Sequence, residues 1–338
     1  FLSAFKDGIT YFSQTYGDFQ FEQMRLLEYP RYSGFAQSFP NTVPFPESFG
    51  WLADFQNPDD FDYVYFVTAH ELAHQWWGHQ VTPNSTLGSN VISESLAEYS
   101  ALVLTERKYG KDNMSRFLKE ELDNYLTGRA YDSKKENAFI DSDRPYQLYN
   151  KGSLVLYGLR DLIGQDAMDS ALFAFNKEFR LKESPPYPGS HDLYRHLDAV
   201  TPDSLKYYLE DTWTKITLYE NKMEKAKAKK LDDGSYEVSL EFTSQKRYAD
   251  EQGEEKVAQY EGDYMEIGIF AQEGRDENGR KRTNPIYLQK HKIKPGKTQL
   301  TIRVEGEPKM AGIDPFNKLI DRIPDDNILS VESSGFKK

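Results

Sequence analysis

Apolar residues recur every three to four positions through most of the first 215 residues, then at every second position over much of the remaining chain. From Tyr63 to Trp77 the period is helical, with Asn57-Pro58-Asp59-Asp60 ahead to supply a cap and Gly78 behind to stop it. Ile92, Leu96, Tyr99 and Val103 mark one side of the next helix, which Ser89 or Asn90 can cap and Gly110 ends. Asp112 opens another, to about residue 126. Further helices fit 146–163, 166–181, 191–200 and 202–213, the last with Thr201 as cap and Pro202 in the first turn. The stretch 24–29 reads as a strand, and a Pro-rich loop comes after it. Beyond residue 218, Tyr236, Val238, Leu240 and Phe242 share one face after an Asp232-Asp233-Gly234 turn. Segments 264–271, 285–293 and 298–304 read as further strands, with Asn278-Gly279 and Pro295-Gly296 as connecting turns. The run Lys225 to Lys230 reads as the solvated face of an edge strand, where lysines discourage further pairing. The pattern predicts a mainly α (α+β) unit over 1–217 followed by a small all-β sandwich over 218–338.

Length supports that division, because 338 residues is near the limit for one core. With 54 acidic against 42 basic residues the net charge is −12, which repels phosphate backbones and anionic lipid, so no nucleic acid partner is expected. The absence of cysteine excludes disulfides, thiolate metal sites and a cysteine nucleophile. No apolar run reaches the roughly 20 residues of a spanning helix. The chain begins at Phe1, and its first Met, Met24, lies inside a patterned segment, which predicts a piece of a longer polypeptide.

Three of the six histidines fall at 70, 74 and 79. His70-Glu71-Leu72-Ala73-His74 has the form H-E-x-x-H inside a segment that independently reads as a helix. Four helical residues advance about 400°, so His70 and His74 lie on one face and can take two corners of a tetrahedral Zn²⁺ site. Glu71, beside the first, can take a proton from attacking water. His79, half a turn away and beyond Gly78, is expected in a loop, off the metal. A third ligand is required, and the next helix offers Glu94 and Glu98, one turn apart. Two antiparallel helices joined by a short loop would complete a His₂Glu set with Glu94. Glu98 could then accept a hydrogen bond from a ligating imidazole, or be a solvated helix carboxylate.

The stretch HELAHQWWGHQVTP…SESLAEYSALVL resembles the gluzincin zinc aminopeptidases of the aminopeptidase-N type. The resemblance covers about residues 10–215 and implies a thermolysin-like catalytic domain, one Zn²⁺ per chain, and peptide substrates. That family places eighteen residues between the second His and the ligand Glu. Here nineteen separate His74 from Glu94, read as a one-residue insertion around 84–90. Tyr149-Asn150-Lys151-Gly152 resembles the family's Y-x-K-G, which implies that Tyr149 hydrogen-bonds the oxyanion. Glu47, in the loop Asn41-Thr42-Val43-Pro44-Phe45-Pro46-Glu47-Ser48, aligns with the Glu of G-x-M-E-N, which binds the substrate's free amine; the glycine and the Asn of that motif are absent. No counterpart of the family's N-terminal β-saddle or C-terminal helical domain is expected within these 338 residues. The same stretches resemble a bacterial branch in which the peptidase follows a transporter-permease-like membrane region, implying a place on the extracytoplasmic face. The alternatives are a zinc endopeptidase, or a peptide-binding module serving a membrane partner. Glu71 and Tyr149 together weigh against a binding module, which needs neither base nor oxyanion donor.

Overall fold

The computed structural model describes residues 1–54, 57–133, 136–276 and 279–333. It divides into two compact units, Phe1–Gly110 with Asp123–Ile216, and Lys111–Leu122 with Thr217–Lys338. The segment Lys111–Leu122, which the periodicity placed in the helical unit, therefore groups with the strands. Local pattern reports helix type but not the surface against which a helix packs.

Among its described residues, the regular structure of the first unit is helical apart from one two-stranded sheet. Helix α1 (Leu2–Thr15) buries Ala4, Phe5, Gly8, Tyr11, Phe12 and Thr15, an amphipathic stripe. Strand β1 (Arg25–Tyr29) pairs in parallel with β2 (Thr42–Pro46). The expected Pro-rich loop is thus partly a strand. Val43 and Phe45 are fully buried on one side of β2, and this alternation outweighs the two prolines, which the edge of a small sheet tolerates. Glu47 heads a one-turn helix, α2 (Glu47–Gly50), directly after β2.

Helix α3 (Tyr63–Ala73) is capped by the Asp62 carboxylate, which accepts from the Tyr65 amide at 3.0 Å. It stops at Ala73, not Trp77. The amides of Gln75 and Trp76 bond three residues back, to Leu72 and Ala73, and Trp77 bridges Val81. The two indoles explain the early end. The Nε1 of Trp76 donates to the Gly17 carbonyl at 2.6 Å, and that of Trp77 to Ser100 Oγ at 3.2 Å, so the buried rings leave the helix in different directions.

A longer connection than expected, 74–93, leads through a 3₁₀ turn (Ser89–Val91) into α4 (Glu94–Tyr109). Helices α3 and α4 pack together and are buried on nearly all faces. Any imidazole or carboxylate they carry must therefore find a partner inside the protein. Helix α5 (Met114–Tyr131) crosses from one unit to the other. Next comes a π-helical turn, Gln147–Lys151, running into α6 (Gly152–Ile163), where periodicity predicted one uniform helix. Helices α7 (Gln165–Phe179) and α8 (Ser190–Val200) come after it, then short helical turns to Thr214.

The second unit holds β3 (Ile216–Lys230), β4 (Tyr236–Ala249), β5 (Glu255–Val257), β6 (Asp263–Phe270), β7 (Gly274–Arg275), β8 (Lys281–Arg282), β9 (Pro285–Ile293), β10 (Gly296–Val304), β11 (Met310–Ile313), β12 (Ile328–Ser330) and β13 (Glu332–Ser333). One sheet has the order β10-β4-β3-β13, with β5 also on β4; another has the order β12-β11-β6-β9. Side chains join them: Lys246 on β4 pairs with Asp263 on β6 at 2.8 Å. The lysine-rich end of β3 is not a bare edge, since β4 flanks it and β13 pairs with Lys227 and Ala228. Its alternation is the reason. Ala226 and Ala228 are buried while the lysines point to solvent, so the backbone is free to pair on both sides. Of the predicted turns, Asn278-Gly279 begins on a residue outside the described ones. No helix among the described residues is long and apolar enough to cross a membrane.

Candidate metal centre

His70 on the buried face of α3 and His74 at its C-cap lie one turn apart, and the first turn of α4 presents Glu94 to both. His70 Nε2 and His74 Nε2 lie 3.0 Å apart. Glu94 Oε2 stands 3.6 Å from the first and 3.5 Å from the second. A tetrahedral ion with bonds of about 2.0–2.1 Å holds its ligand atoms about 3.3 Å from one another, so three donors so arranged fit zinc. Among the described residues these three form the one His/Asp/Glu group compact enough for a metal, with ligand atoms all within 4.8 Å.

Each imidazole is oriented from its far side. The carboxylate of Glu98, one turn along α4 from Glu94, stands against His70 Nδ1. The Nδ1 of His74 lies 3.0 Å from the Trp77 carbonyl, an acceptor that exists because the chain leaves the helix at Ala73. Both contacts place the proton on Nδ1 and leave Nε2 free as a donor to metal. His79 lies outside the group, and its ring hydrogen-bonds the Ser38 backbone instead.

The electrostatics describe a pocket short of positive charge. Burial works to lower the His70 pKa, but the Glu98 charge and hydrogen bonding to Glu94 and Glu98 overcome it and raise it well above the usual imidazole range. For Glu94, burial pushes upward and hydrogen bonding to the two histidines wins, holding the carboxyl far below its ordinary value. Clustered carboxylates that draw protons onto imidazoles in this way would be met equally well by a cation. Glu71 is buried beside the pair, and burial raises its pKa, with the histidines opposing. A carboxyl tuned upward in this way suits a group that both takes and gives a proton.

Tyr149 completes the arrangement from the π turn. Its ring stacks on His70 with centroids 5.6 Å apart and planes at 26°. Its hydroxyl donates to Glu94, and burial followed by the Glu94 charge raises its pKa, so it remains a protonated donor. Glu47 is part-buried at the head of α2, and among the described residues no hydrogen bond or ion pair ties it to this group.

Other contacts had no signature in the sequence. The Ser38 hydroxyl donates to the Glu71 carbonyl at 2.8 Å, and Gln75 Nε2 donates to Ser38 Oγ and the Phe39 carbonyl. These bonds fix the segment before β2 to the end of α3. Ser95, next to Glu94, donates to the Leu148 carbonyl at 2.5 Å, joining the ligand helix to the turn that carries Tyr149.

The peptidase family M1 domain matches residues 5–213. Aminopeptidase Q of Acinonyx jubatus is 27% identical over 169 residues, which is 45% of this chain and 16% of that protein. Endoplasmic reticulum aminopeptidase 2 of Homo sapiens is 25% identical over 126 residues, 35% of this chain and 13% of that protein. Among solved structures, aminopeptidase A of Legionella pneumophila in complex with aspartic acid superposes with a TM-score of 0.53 at 14% identity, covering 99% of this chain and 34% of that one. This is a likeness of fold. The chain spans only a part of the length of each of these relatives.

Proposed function

The chain belongs to peptidase family M1, and from that premise we propose that it is a zinc-dependent aminopeptidase that removes N-terminal residues from peptides. The observation that carries the proposal is the convergence of His70, His74 and Glu94 with ligand atoms within 4.8 Å, with Glu71 and Tyr149 beside them. When bound there, zinc would supply Lewis-acid polarisation of the scissile carbonyl and a lowered pKa for water. Glu71 takes the proton of the attacking water and passes it to the leaving amine. Its raised pKa favours the first half of that exchange, since it makes the carboxylate a stronger base. Tyr149 donates a hydrogen bond to the oxygen that becomes negative as the carbonyl turns tetrahedral. A phenol held by stacking and by Glu94 is in place before the charge develops, which is where such a donor contributes most.

Glu47 supplies the exopeptidase character, as the carboxylate partner of the substrate's α-ammonium. Its support is its alignment with the family motif and its place directly after β2. A set of peptides with free and N-acetylated termini, with zinc content measured in parallel, tests the reading. Free peptides are expected to lose their first residue and acetylated ones to resist. Glu47→Ala should weaken cleavage of free peptides and narrow the gap. Equal cleavage of both, or internal cuts, would replace the aminopeptidase reading by an endopeptidase. No cleavage by a zinc-loaded chain would leave a peptide-binding module.

A further inference from the structure

Behind the π turn that carries Tyr149, on the side away from His70, lies a buried ionic cluster that the proposed reaction does not use. Glu136 is 3% exposed and Lys151 is 1% exposed. The Lys151 ammonium reaches Glu136 Oε2 at 3.4 Å, and Gln147 Nε2 donates to the same oxygen at 3.3 Å. The other oxygen accepts from Tyr125 Oη and Arg129 Nε, each at 2.8 Å. Gln147 and Lys151 are the first and last residues of the π turn, so one carboxylate holds both of its ends. Tyr149 lies between them and points the other way, to His70 and Glu94.

We propose that Glu136 and Lys151 are positioning residues for Tyr149: the buried carboxylate fixes the π turn in the register that brings the phenol to the metal ligands. The inference rests on the proposed aminopeptidase reading. Its physical basis is that a π turn inserts one residue relative to an α-helix and is the rarer form, so something must hold it. Relaxing the turn to α-helical geometry would rotate Tyr149 by about 100°, off the His70 ring. A buried ion pair is a costly way to gain stability compared with apolar side chains, and fixing a register is its best-attested use.

Glu136→Gln keeps the shape and removes the charge. With zinc content unchanged, kcat is expected to fall about tenfold to a hundredfold at little-changed KM, the scale of misplacing a reacting group by about 1 Å. In a Tyr149→Phe background the same change should have no further effect on kcat. An equal loss in both backgrounds, or unchanged kcat in a folded variant, would overturn the proposal. If Glu136→Gln alone does not fold, Glu136→Gln with Lys151→Met removes both charges of the fully buried pair, leaving Arg129 at the more exposed edge, and is carried through the same comparison. Should the unsubstituted chain cleave no peptide, the functional reading fails, and a crystal structure of the variant still decides the positioning. Tyr149 displaced from His70 is expected there; a ring still stacked at the original spacing would contradict it.

Discussion

Glu98 offers a sharp test of how the metal ligands are held. Its carboxylate meets Nδ1 of His70 where the two side chains are 11% and 7% exposed, so little water screens the pair. Replacing Glu98 with Ala removes the acceptor that fixes the His70 tautomer, while His70, His74 and Glu94 all remain. Loss of such a partner typically weakens metal binding about 10–100-fold, or about 1.4–2.8 kcal/mol. Because zinc bound to the folded form stabilises it by mass action, the same energy should appear as lost zinc-dependent thermal stability. For a unit of about 200 residues this amounts to roughly 3–11 °C, at about 2–4 °C per kcal/mol. The assay is competition with a chromophoric chelator, alongside melting with zinc and with chelator. Packing lost by truncation lowers both melting temperatures and cancels in their difference. Glu98→Gln, which keeps a neutral acceptor, should lose less than Glu98→Ala. Unchanged zinc affinity in both variants would refute the reasoning, and loss as complete as in Glu94→Ala would make Glu98 a ligand.

Other expectations rest on the same geometry. Glu71→Gln should keep its zinc and lose about 10²–10⁴-fold in turnover, read by metal analysis and peptide release together; near-normal activity would place the base elsewhere. Gly152→Ala would set a methyl 2.3 Å from Ser95 Oγ and 2.6 Å from Ser95 Cβ. That overpacking should destabilise by about 1–3 kcal/mol and depress turnover, because Ser95 joins Glu94 to the Tyr149 turn; Ser95→Gly in the same chain should relieve the clash and restore part of the stability but not the turnover, since it removes that link. Acidification should release zinc, because the imidazoles must be neutral to bind it; affinity independent of pH between about 5 and 8 would argue against histidine ligands.

The sequence and the structure part company at particular residues. The two-histidine face was legible, because helical spacing fixes His70 against His74 without help from the rest of the fold. Glu94 was reachable from the ligand count and the family spacing, although nineteen residues separate it from His74. The helix end at Ala73 was not legible, since it depends on the distant partners of Trp76 and Trp77, Gly17 and Ser100. Nor was strand β2, whose prolines read as a loop until Val43 and Phe45 are seen to be buried. The π turn and its Glu136 clamp had no periodic signature, because one inserted residue hardly changes an apolar pattern. Likewise the first half of α5 reads as an ordinary helix, and only its packing assigns it to the second unit.

The central claim is that His70, His74 and Glu94 hold a zinc ion at which Glu71 and Tyr149 act. Anomalous diffraction from crystals of the zinc-loaded chain, collected on both sides of the zinc absorption edge, tests it most directly. One peak is expected about 2.0–2.2 Å from His70 Nε2, His74 Nε2 and a Glu94 carboxylate oxygen, with Glu71 and the Tyr149 hydroxyl flanking its open side. A peak coordinated by His79 in place of one of these residues, or no peak between α3 and α4, would contradict the account.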